Sequence, residues 1–256
     1  MSEADRIRFL GHATVELDLA GTKLLTDPFL RKRVGPVVRS TPAIDPATLA
    51  PDAVLISHLD RDHCDLPSLR GLSGAPHLVV PSGAEVFARK HGFDDVTELR
   101  VGESTVVGGL NITAVKAIHD GRRAPLGPRA EAVGYAISGS RRVYFAGDTD
   151  IFDEMAELEG GLDLALLPIS GWGRSLGEGH LDPERAARAL EMLRPRIAVP
   201  IHWGTLHPIG MRRFMSRQLV EPPREFAREA ARRAPDVEVR ILDPGEALRL
   251  GADQAG

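Results

Sequence analysis

The strongest constraint on the fold is a run of ionisable residues at the predicted end of a buried strand. The segment "DAVLIS" is almost continuously apolar, which is typical of a strand covered on both faces. It is followed at once by "HLDRDHCD", which offers four metal-ligand side chains within six positions: His58, Asp60, Asp62 and His63. A merely solvated loop is the weaker alternative, so the segment predicts a metal site where the strand ends.

Two more histidines and an aspartate follow predicted strands in the same way. His119 comes after "NITAVKAI", His202 after "RIAVPI", and Asp148 after "RVYFAG". Strand ends at one rim of a sheet can gather side chains that are distant in sequence, and imidazole with carboxylate suits zinc, manganese or iron. Each residue taken alone fits an ordinary loop or turn, so the prediction depends on the whole set.

Short strand-like runs alternate with helical ones along the chain. Ser82 and Glu85 predict a capping box before "VFARKHG", Asp182 and Pro183 open a second helix, and "PPREFAREAARRA" forms a third. Two packed sheets with helices outside, an α/β (α+β) arrangement in one domain over residues 1–256, accommodate this order. A doubly wound α/β fold is the alternative, but no Gly-x-Gly-x-x-Gly follows a strand.

Composition argues against several other classes of protein. The net charge of −4 and the 5% aromatic content offer little to nucleic acid. No apolar run approaches the roughly 20 residues of a membrane helix, and the N-terminus lacks a signal-peptide pattern. Cys64 is the one cysteine, which predicts a buried thiol and a reducing cytoplasm. We therefore expect a cytoplasmic protein that acts on a small molecule, with no membrane insertion and with homo-oligomer formation left open.

The ordered set of histidines and aspartates resembles the metallo-β-lactamase fold family. The segments "FLGHATVEL", "TDPF", "AGDTD" and "IHWGT" are similar to one branch of it, which includes the L-ascorbate-6-phosphate lactonases and the N-acylphosphatidylethanolamine phospholipase D. The resemblance covers nearly the whole chain. It implies a four-layer αββα sandwich with a dinuclear metal site on the edge shared by the two sheets.

Carried over by position, the resemblance implies two metal sites and a hydrolase. Site one takes His58, Asp60 and His119, site two takes Asp62, His63 and His202, and Asp148 bridges the two. The implied cofactors are two divalent metal ions, zinc first. A metal-bound hydroxide would cleave an ester, lactone, amide or phosphodiester of a small molecule.

Position 60 departs from the family's usual first motif, which is His-x-His-x-Asp-His. Two divalent ions contribute +4, while Asp60, Asp62, Asp148 and a hydroxide contribute −4, so the formal sum is zero rather than the +1 left with histidine at position 60. Such a site should make the bound water less acidic and favour harder ions, manganese or iron(II). The alternative is that Asp60 does not reach the metal, which leaves a mononuclear enzyme.

Further candidates lie near the predicted centre. The candidate catalytic residues are Asp62 and His180, the latter as a proton donor placed before a helix. Candidates for orienting the ligands or binding substrate are His12, Asp27, Asp65, Trp172, Arg174 and His207. A basic loop after His119 carries three arginines that bind phosphate or carboxylate unless the loop is simply solvated: Arg122, Arg123 and Arg129.

Other functions remain open at this level. A metal-dependent nuclease is one, although the negative charge and low aromatic content argue against it. Asp60 also leaves open a non-catalytic binding protein with a degraded metal site, and an iron oxygenase of the same fold is the remotest alternative.

Overall fold

The computed structural model describes residues 5–123, 127–158, 160–171 and 179–251. In chain order its strands are β1 (Arg6–Gly11), β2 (Thr14–Leu19), β3 (Thr22–Thr26), β4 (Arg33–Val34), β5 (Val37–Arg39), β6 (Ala53–Leu55), β7 (His77–Pro81), β8 (Val96–Leu99), β9 (Ser104–Val107), β10 (Leu110–Lys116), β11 (Val133–Ser138), β12 (Arg142–Phe145), β13 (Leu164–Pro168), β14 (Ile197–Ile201), β15 (Leu206–Pro208), β16 (Glu238–Val239) and β17 (Ala247–Arg249). Its α-helices are α1 (Leu66–Gly71), α2 (Glu85–Lys90), α3 (Pro183–Leu193), α4 (Ser216–Val220) and α5 (Pro222–Arg233), and its short 3-10 helices are Pro46–Thr48 and Asp153–Leu158.

Two sheets of seven strands each form within these described ranges. The first has the order β17-β1-β2-β3-β6-β7-β8 and the second β16-β14-β13-β12-β11-β10-β9. Each sheet is antiparallel at one end and parallel at the other, with the change of direction at β3 and at β12. A small third sheet, β15-β5-β4, lies beside them.

The two large sheets pack face to face, and helices cover their outer faces. Phe9 and Val15 of the first sheet share one apolar cluster with Tyr135 and Phe145 of the second. Helices α1 and α2 cover the outer face of the first sheet with the buried side chains of Leu69 and Ala88. Helices α3 and α5 cover that of the second sheet with Ala186, Leu190 and Phe226. The predicted αββα sandwich is therefore confirmed.

Local patterns in the sequence explain the strands. Every residue of β13 and β14 is buried, because these parallel strands lie between a sheet and a helix layer. The antiparallel β10 instead alternates, with Leu110, Ile112 and Ala114 buried and the residues between them more exposed. Among the described residues, no helix combines the length and apolar character needed to cross a membrane.

The two predicted helix starts had different outcomes. Asp182 caps α3 by accepting the Arg185 N–H at 2.8 Å, as the sequence indicates. The predicted capping box of Ser82 and Glu85 is wrong, because α2 begins only at Glu85 and no side chain caps it. The Glu85 N–H donates instead to the Glu98 carboxylate, at 2.8 Å.

Strand direction decides where the candidate residues meet. In the first sheet β1, β3 and β6 run in one direction, and in the second β10, β12, β13 and β14 do the same. The sheets are joined where these strands end, since the His202 N–H donates to the His12 carbonyl at 2.8 Å. The Val133 N–H donates to the Ser57 carbonyl at 3.0 Å in the same way. Residues that follow these strands therefore collect at one shared rim.

Candidate metal centre

Side chains from both sheets converge at the shared rim. Three groups there have potential ligand atoms within 4.8 Å of one another: His12, Asp62, His63 and His202; Asp27, His58 and His63; and His58, His119 and Asp148. Most of these side chains are buried. Buried charges need partners or a metal ion, so this cluster is a strong candidate for metal binding.

Two of the histidines are oriented by backbone carbonyls. His119 Nδ1 lies 3.1 Å from the Gly179 oxygen, and His202 Nδ1 lies 2.7 Å from the Ser170 oxygen. A carbonyl only accepts hydrogen bonds, so both rings must carry their proton on Nδ1. Each Nε2 atom is then left with a lone pair directed at the centre of the cluster, which is the tautomer that metal binding requires.

Asp27 orients the other two histidines. Its Oδ2 accepts a hydrogen bond from His63 Nδ1 at 2.8 Å and another from the Ser57 hydroxyl at 2.5 Å. The Ser57 hydroxyl in turn lies 2.9 Å from His58 Nδ1 and accepts its proton, because it has already donated to Asp27. Asp27 thus orients one imidazole directly and a second one through Ser57.

The Nε2 atoms meet without donors between them. His63 Nε2 and His202 Nε2 are 3.1 Å apart, although both rings have placed their protons on Nδ1. Among the described residues, the buried Nε2 atoms of His58 and His119 and the buried Oδ1 of Asp148 have no hydrogen-bond partner. Opposed lone pairs repel one another, so the arrangement needs a cation, either a proton or a metal ion.

Asp148 lies between the converging rings. Its Oδ1 is 3.3 Å from His202 Nε2, and its Oδ2 is 3.3 Å from His63 Nε2. Burial alone would raise the pKa of Asp148, but the imidazoles of His202 and His63 hold it well below its usual value. The carboxylate is therefore anionic at neutral pH, and each of its oxygens faces a different imidazole.

Asp60 lies at the edge of this cluster and not outside it. Its Oδ2 is 3.7 Å from His58 Nε2 and 3.8 Å from His119 Nε2. Ligand atoms of a tetrahedral zinc ion are about 3.3–3.6 Å apart, so a small adjustment would bring this oxygen into coordination. Burial alone would raise the pKa of Asp60, but His119 and His58 lower it to about 2. Position 60 thus presents an anionic oxygen where the related motif has an imidazole.

His12 orients Asp62 and packs on His202. Its Nε2 is 3.0 Å from Asp62 Oδ2, and its ring centroid is 3.9 Å from that of His202. Burial alone would raise the pKa of Asp62, but the hydrogen bond from His12 and the nearby imidazoles lower it far below its usual value. Asp62 is therefore a permanent anion, and the predicted location of His12 beside the centre corresponds to what the structure has.

Three residues of the cluster have a strained backbone. His12, Asp27 and His202 have φ angles of 58°, 34° and 61°, in the left-handed region that residues other than glycine rarely adopt. Each such residue costs of order 1–3 kcal/mol, and strain of this kind is concentrated at functional sites. The surrounding hydrogen bonds maintain these conformations, which direct the side chains toward the centre.

His180 lies at the more exposed edge of the cluster. Its Nε2 is 3.6 Å from Asp148 Oδ2, its ring meets His119 edge-on with centroids 4.8 Å apart, and its side chain is 26% exposed. Arg185 donates to the His180 carbonyl at 3.3 Å and also pairs with Asp150, two residues after Asp148. This places His180 beside the candidate ligands and still accessible to solvent.

The remaining candidates have other roles or lie elsewhere. Asp65 accepts the Ser68 N–H at the start of α1 and pairs with Arg31 at 2.6 Å, so the structure gives it the role of a helix cap. His207 is buried on β15, paired with β5, and no described hydrogen bond or ion pair joins it to the cluster. Trp172 and Arg174 lie outside the described residues.

An open cleft of about 630 Å³ lies beside His119. Arg100 and Arg129 line it together with Glu131 and Ser82, so its walls carry both signs of charge. Arg129 is one of the three arginines predicted to bind an anion, whereas Arg100 comes from the turn between β8 and β9. No sequence pattern connected Arg100 with His119, because the fold alone brings these segments together.

The comparisons with known proteins agree with this geometry. A family model described as "Beta-lactamase superfamily domain" matches residues 22–203. Similar proteins include a UPF0173 metal-dependent hydrolase of Methanopyrus kandleri, 36% identical and covering 94% of this chain and 98% of the relative. Another, from Deinococcus radiodurans, is 34% identical with coverages of 96% and 99%. The solved structure of a metallo hydrolase from Ignicoccus hospitalis has a TM-score of 0.74 at 24% identity and covers 96% of this chain and 98% of that one. The similarity thus extends over nearly the whole chain.

Proposed function

The chain belongs to the β-lactamase superfamily, and on this premise we propose that it is a metal-dependent hydrolase with a two-metal centre at the rim shared by its sheets. One observation carries the proposal. Four imidazoles donate from Nδ1 to acceptors around them, which leaves Nε2 of each as its potential ligand atom: His58, His63, His119 and His202. A proton could relieve the repulsion within one facing pair, whereas divalent metal ions would accept the lone pairs of all four Nε2 atoms.

The proposed ligands fall into two sites around Asp148. Site one consists of His58, Asp60 and His119, and site two consists of Asp62, His63 and His202. Asp148 is proposed as the shared ligand, because it lies 3.3 Å from two imidazoles of site two and within 4.8 Å of the potential ligand atoms of His58 and His119 at site one. Zinc is the first metal proposed. The carboxylate oxygen of Asp60 is a harder ligand than an imidazole nitrogen, so it would shift the preference of site one toward manganese or iron(II).

The chain's own residues would divide the remaining work. When bound, divalent metal ions would supply Lewis acidity and a water activated near neutral pH. Asp62, a candidate catalytic residue, would act as an anionic ligand, because its pKa is strongly lowered. His180 is the proposed proton donor to the leaving group, since its Nε2 lies 3.6 Å from Asp148 Oδ2 and its side chain is partly exposed.

The cleft beside His119 supports a small-molecule substrate. Its volume of about 630 Å³ is within the range of roughly 300–1,000 Å³ that is typical of small-ligand sites. Cys64 is not a nucleophile, because burial raises the pKa of its thiol to about 12. A reducing cytoplasm is the proposed location, where a free thiol of this kind is usual.

Metal content tests this proposal. Protein reconstituted with zinc, manganese or iron(II) should retain two equivalents after desalting, measured by elemental analysis. The loaded protein should hydrolyse at least one member of a panel of chromogenic esters, lactones and phosphodiesters, and chelator treatment should abolish that activity. Less than about half an equivalent of every metal would contradict the proposal.

Metal uptake should also release protons. Burial alone would lower the pKa of His63, but the charges of Asp148 and Asp27 raise it well above its usual value. His63 is then protonated near pH 7 without metal and must lose that proton to coordinate, so affinity should weaken as the pH falls. Calorimetric titration in two buffers of different ionisation enthalpy should show release of about one proton from this group.

Asp27→Asn provides the comparison for that measurement. The variant removes one of the two charges that raise the pKa of His63, so fewer protons should be released at pH 7. Equal proton release in wild type and variant, or none in either, would show that His63 does not give up a proton to the metal.

A further inference from the structure

The loop that carries Asp60 is held together by its own backbone only in part. The N–H groups of His63 and Cys64 both donate to the Asp60 carbonyl, at 3.0 and 2.7 Å, and form a tight turn. The side chains of Leu59 and Cys64, at the two ends of this turn, are buried in the apolar cluster under α1 and α2. The backbone carbonyls of these two residues therefore need donors from elsewhere in the chain.

Arg123 supplies both hydrogen bonds from a single nitrogen. Its Nη1 donates to the Leu59 carbonyl at 2.7 Å and to the Cys64 carbonyl at 2.8 Å. The guanidinium carbon also lies 4.8 Å from the centroid of the Phe87 ring on α2, which is within the range of a cation–π contact. Arg123 is thus held on one side by the turn and on the other by a helix.

The position of Arg123 in the chain connects this turn with a second part of site one. Arg123 follows His119 by four residues. Next to it Arg122 forms an isolated antiparallel bridge with Arg129, and the Arg123 N–H donates to the Pro128 carbonyl at 3.1 Å. One side chain therefore bridges the segment that carries Asp60 and the segment that carries His119.

We propose that Arg123 is a positioning residue that holds the Asp60 turn against the His119 loop and so sets the metal affinity of site one. Asp60 Oδ2 and His119 Nε2 are 3.8 Å apart, and small shifts between their segments change whether both reach one ion. The proposal rests on the proposed function, since it takes these two residues as ligands. In this proposal the guanidinium of Arg123 binds backbone carbonyls of the protein and not a substrate anion. Anion binding would then depend on Arg100 and Arg129, which line the cleft.

The test compares Arg123→Met with Arg123→Lys. Methionine keeps an apolar stem and removes both donors, so the affinity of site one for zinc should fall by about tenfold or more, as when outer partners of metal ligands are lost. Lysine retains an ammonium that can donate to both carbonyls and should keep the affinity within about threefold. Competition with a chromogenic chelator measures both binding steps, and the step absent in Asp60→Ala identifies site one.

Two controls separate positioning from general damage. Arg129→Met alters the arginine that bridges to Arg122 and whose side chain is 69% exposed, and it should leave zinc affinity unchanged. In the Asp60→Ala background, Arg123→Met should have no further effect on the remaining binding step. Phe87→Leu, which removes the ring beside the guanidinium, should weaken site one by a few-fold and serves if Arg123→Met does not fold.

Several results would overturn the proposal. These are wild-type zinc affinity in Arg123→Met, equal weakening of both binding steps, or equal weakening by Arg129→Met. If Arg123→Met does not fold, wild-type affinity in Phe87→Leu would count against it in the same way. A wild-type protein that binds no metal would instead contradict the proposed function, so the two failures are distinguishable.

Discussion

Replacing Asp148 with alanine should remove both metal ions together. Its two carboxylate oxygens each lie 3.3 Å from the Nε2 atom of a different imidazole, those of His202 and His63, and the residue is only 4% exposed. Asp148 also lies within 4.8 Å of the potential ligand atoms of His58 and His119, so it is placed to contact both proposed sites. We therefore expect elemental analysis to find near-zero metal after desalting, and kcat/KM to fall by at least about 10³-fold, or about 4 kcal/mol.

The charge of Asp148 and its shape can be tested separately. Asp148→Asn keeps the shape of the side chain and one oxygen but removes the negative charge, so this variant should also lose both metal ions. Asp120→Ala is the matched control, because that carboxylate directly follows His119 yet is 68% exposed. Loss of one metal with full retention of the other would show that Asp148 is a ligand of one site and not a bridge.

Asp60 should control site one without affecting site two. Asp60→Ala removes the anionic oxygen that lies 3.7 and 3.8 Å from His58 Nε2 and His119 Nε2. Loss of a direct ligand should exceed the roughly 10- to 100-fold cost of losing an outer partner, so one equivalent of metal should remain where wild type holds two. Elemental analysis and chelator competition on the same preparations measure this.

Asp60→His is the informative counterpart of that variant. The side chain of Asp60 is 33% exposed, so a larger imidazole has room at this position. Histidine restores the usual motif and exchanges a hard anion for a softer neutral ligand, so zinc should gain on manganese when the two compete for site one. Two equivalents of metal in Asp60→Ala, with unchanged metal preference in Asp60→His, would show that Asp60 is not a ligand.

Much of the fold was predictable from local patterns. Continuous apolar runs identified β6 and β14, and the Asp182-Pro183 pair identified the start of α3. These signals work because burial on both faces and helix capping depend on a few neighbouring residues. Strands of two or three residues, such as β4 and β15, carry no periodic signal and were not predicted. The capping box predicted at Ser82 did not form, because the Ser-x-x-Glu spacing permits such a cap but does not fix where the helix begins.

The resemblance to a family predicted the superfamily but not the branch within it. The motifs from His58 to His202 indicated the metallo-β-lactamase fold, and the comparisons confirm the superfamily. They do not distinguish the lactonase and phospholipase D branch that the segments "TDPF" and "IHWGT" suggested. Chemistry that depends on a few ligands leaves strong motifs, whereas substrate preference depends on cleft residues such as Arg100, which have no fixed spacing.

The sequence by itself therefore determined which side chains could coordinate a metal, because ligand chemistry belongs to the side chain and strand ends are marked by the apolar runs before them. Only the tertiary structure decided how those side chains are held. The carbonyls of Gly179 and Ser170 set two imidazoles, and those of Leu59 and Cys64 engage Arg123. Every residue has a carbonyl, so no residue type marks these acceptors, and only the path of the chain determines which of them face a ring or a guanidinium.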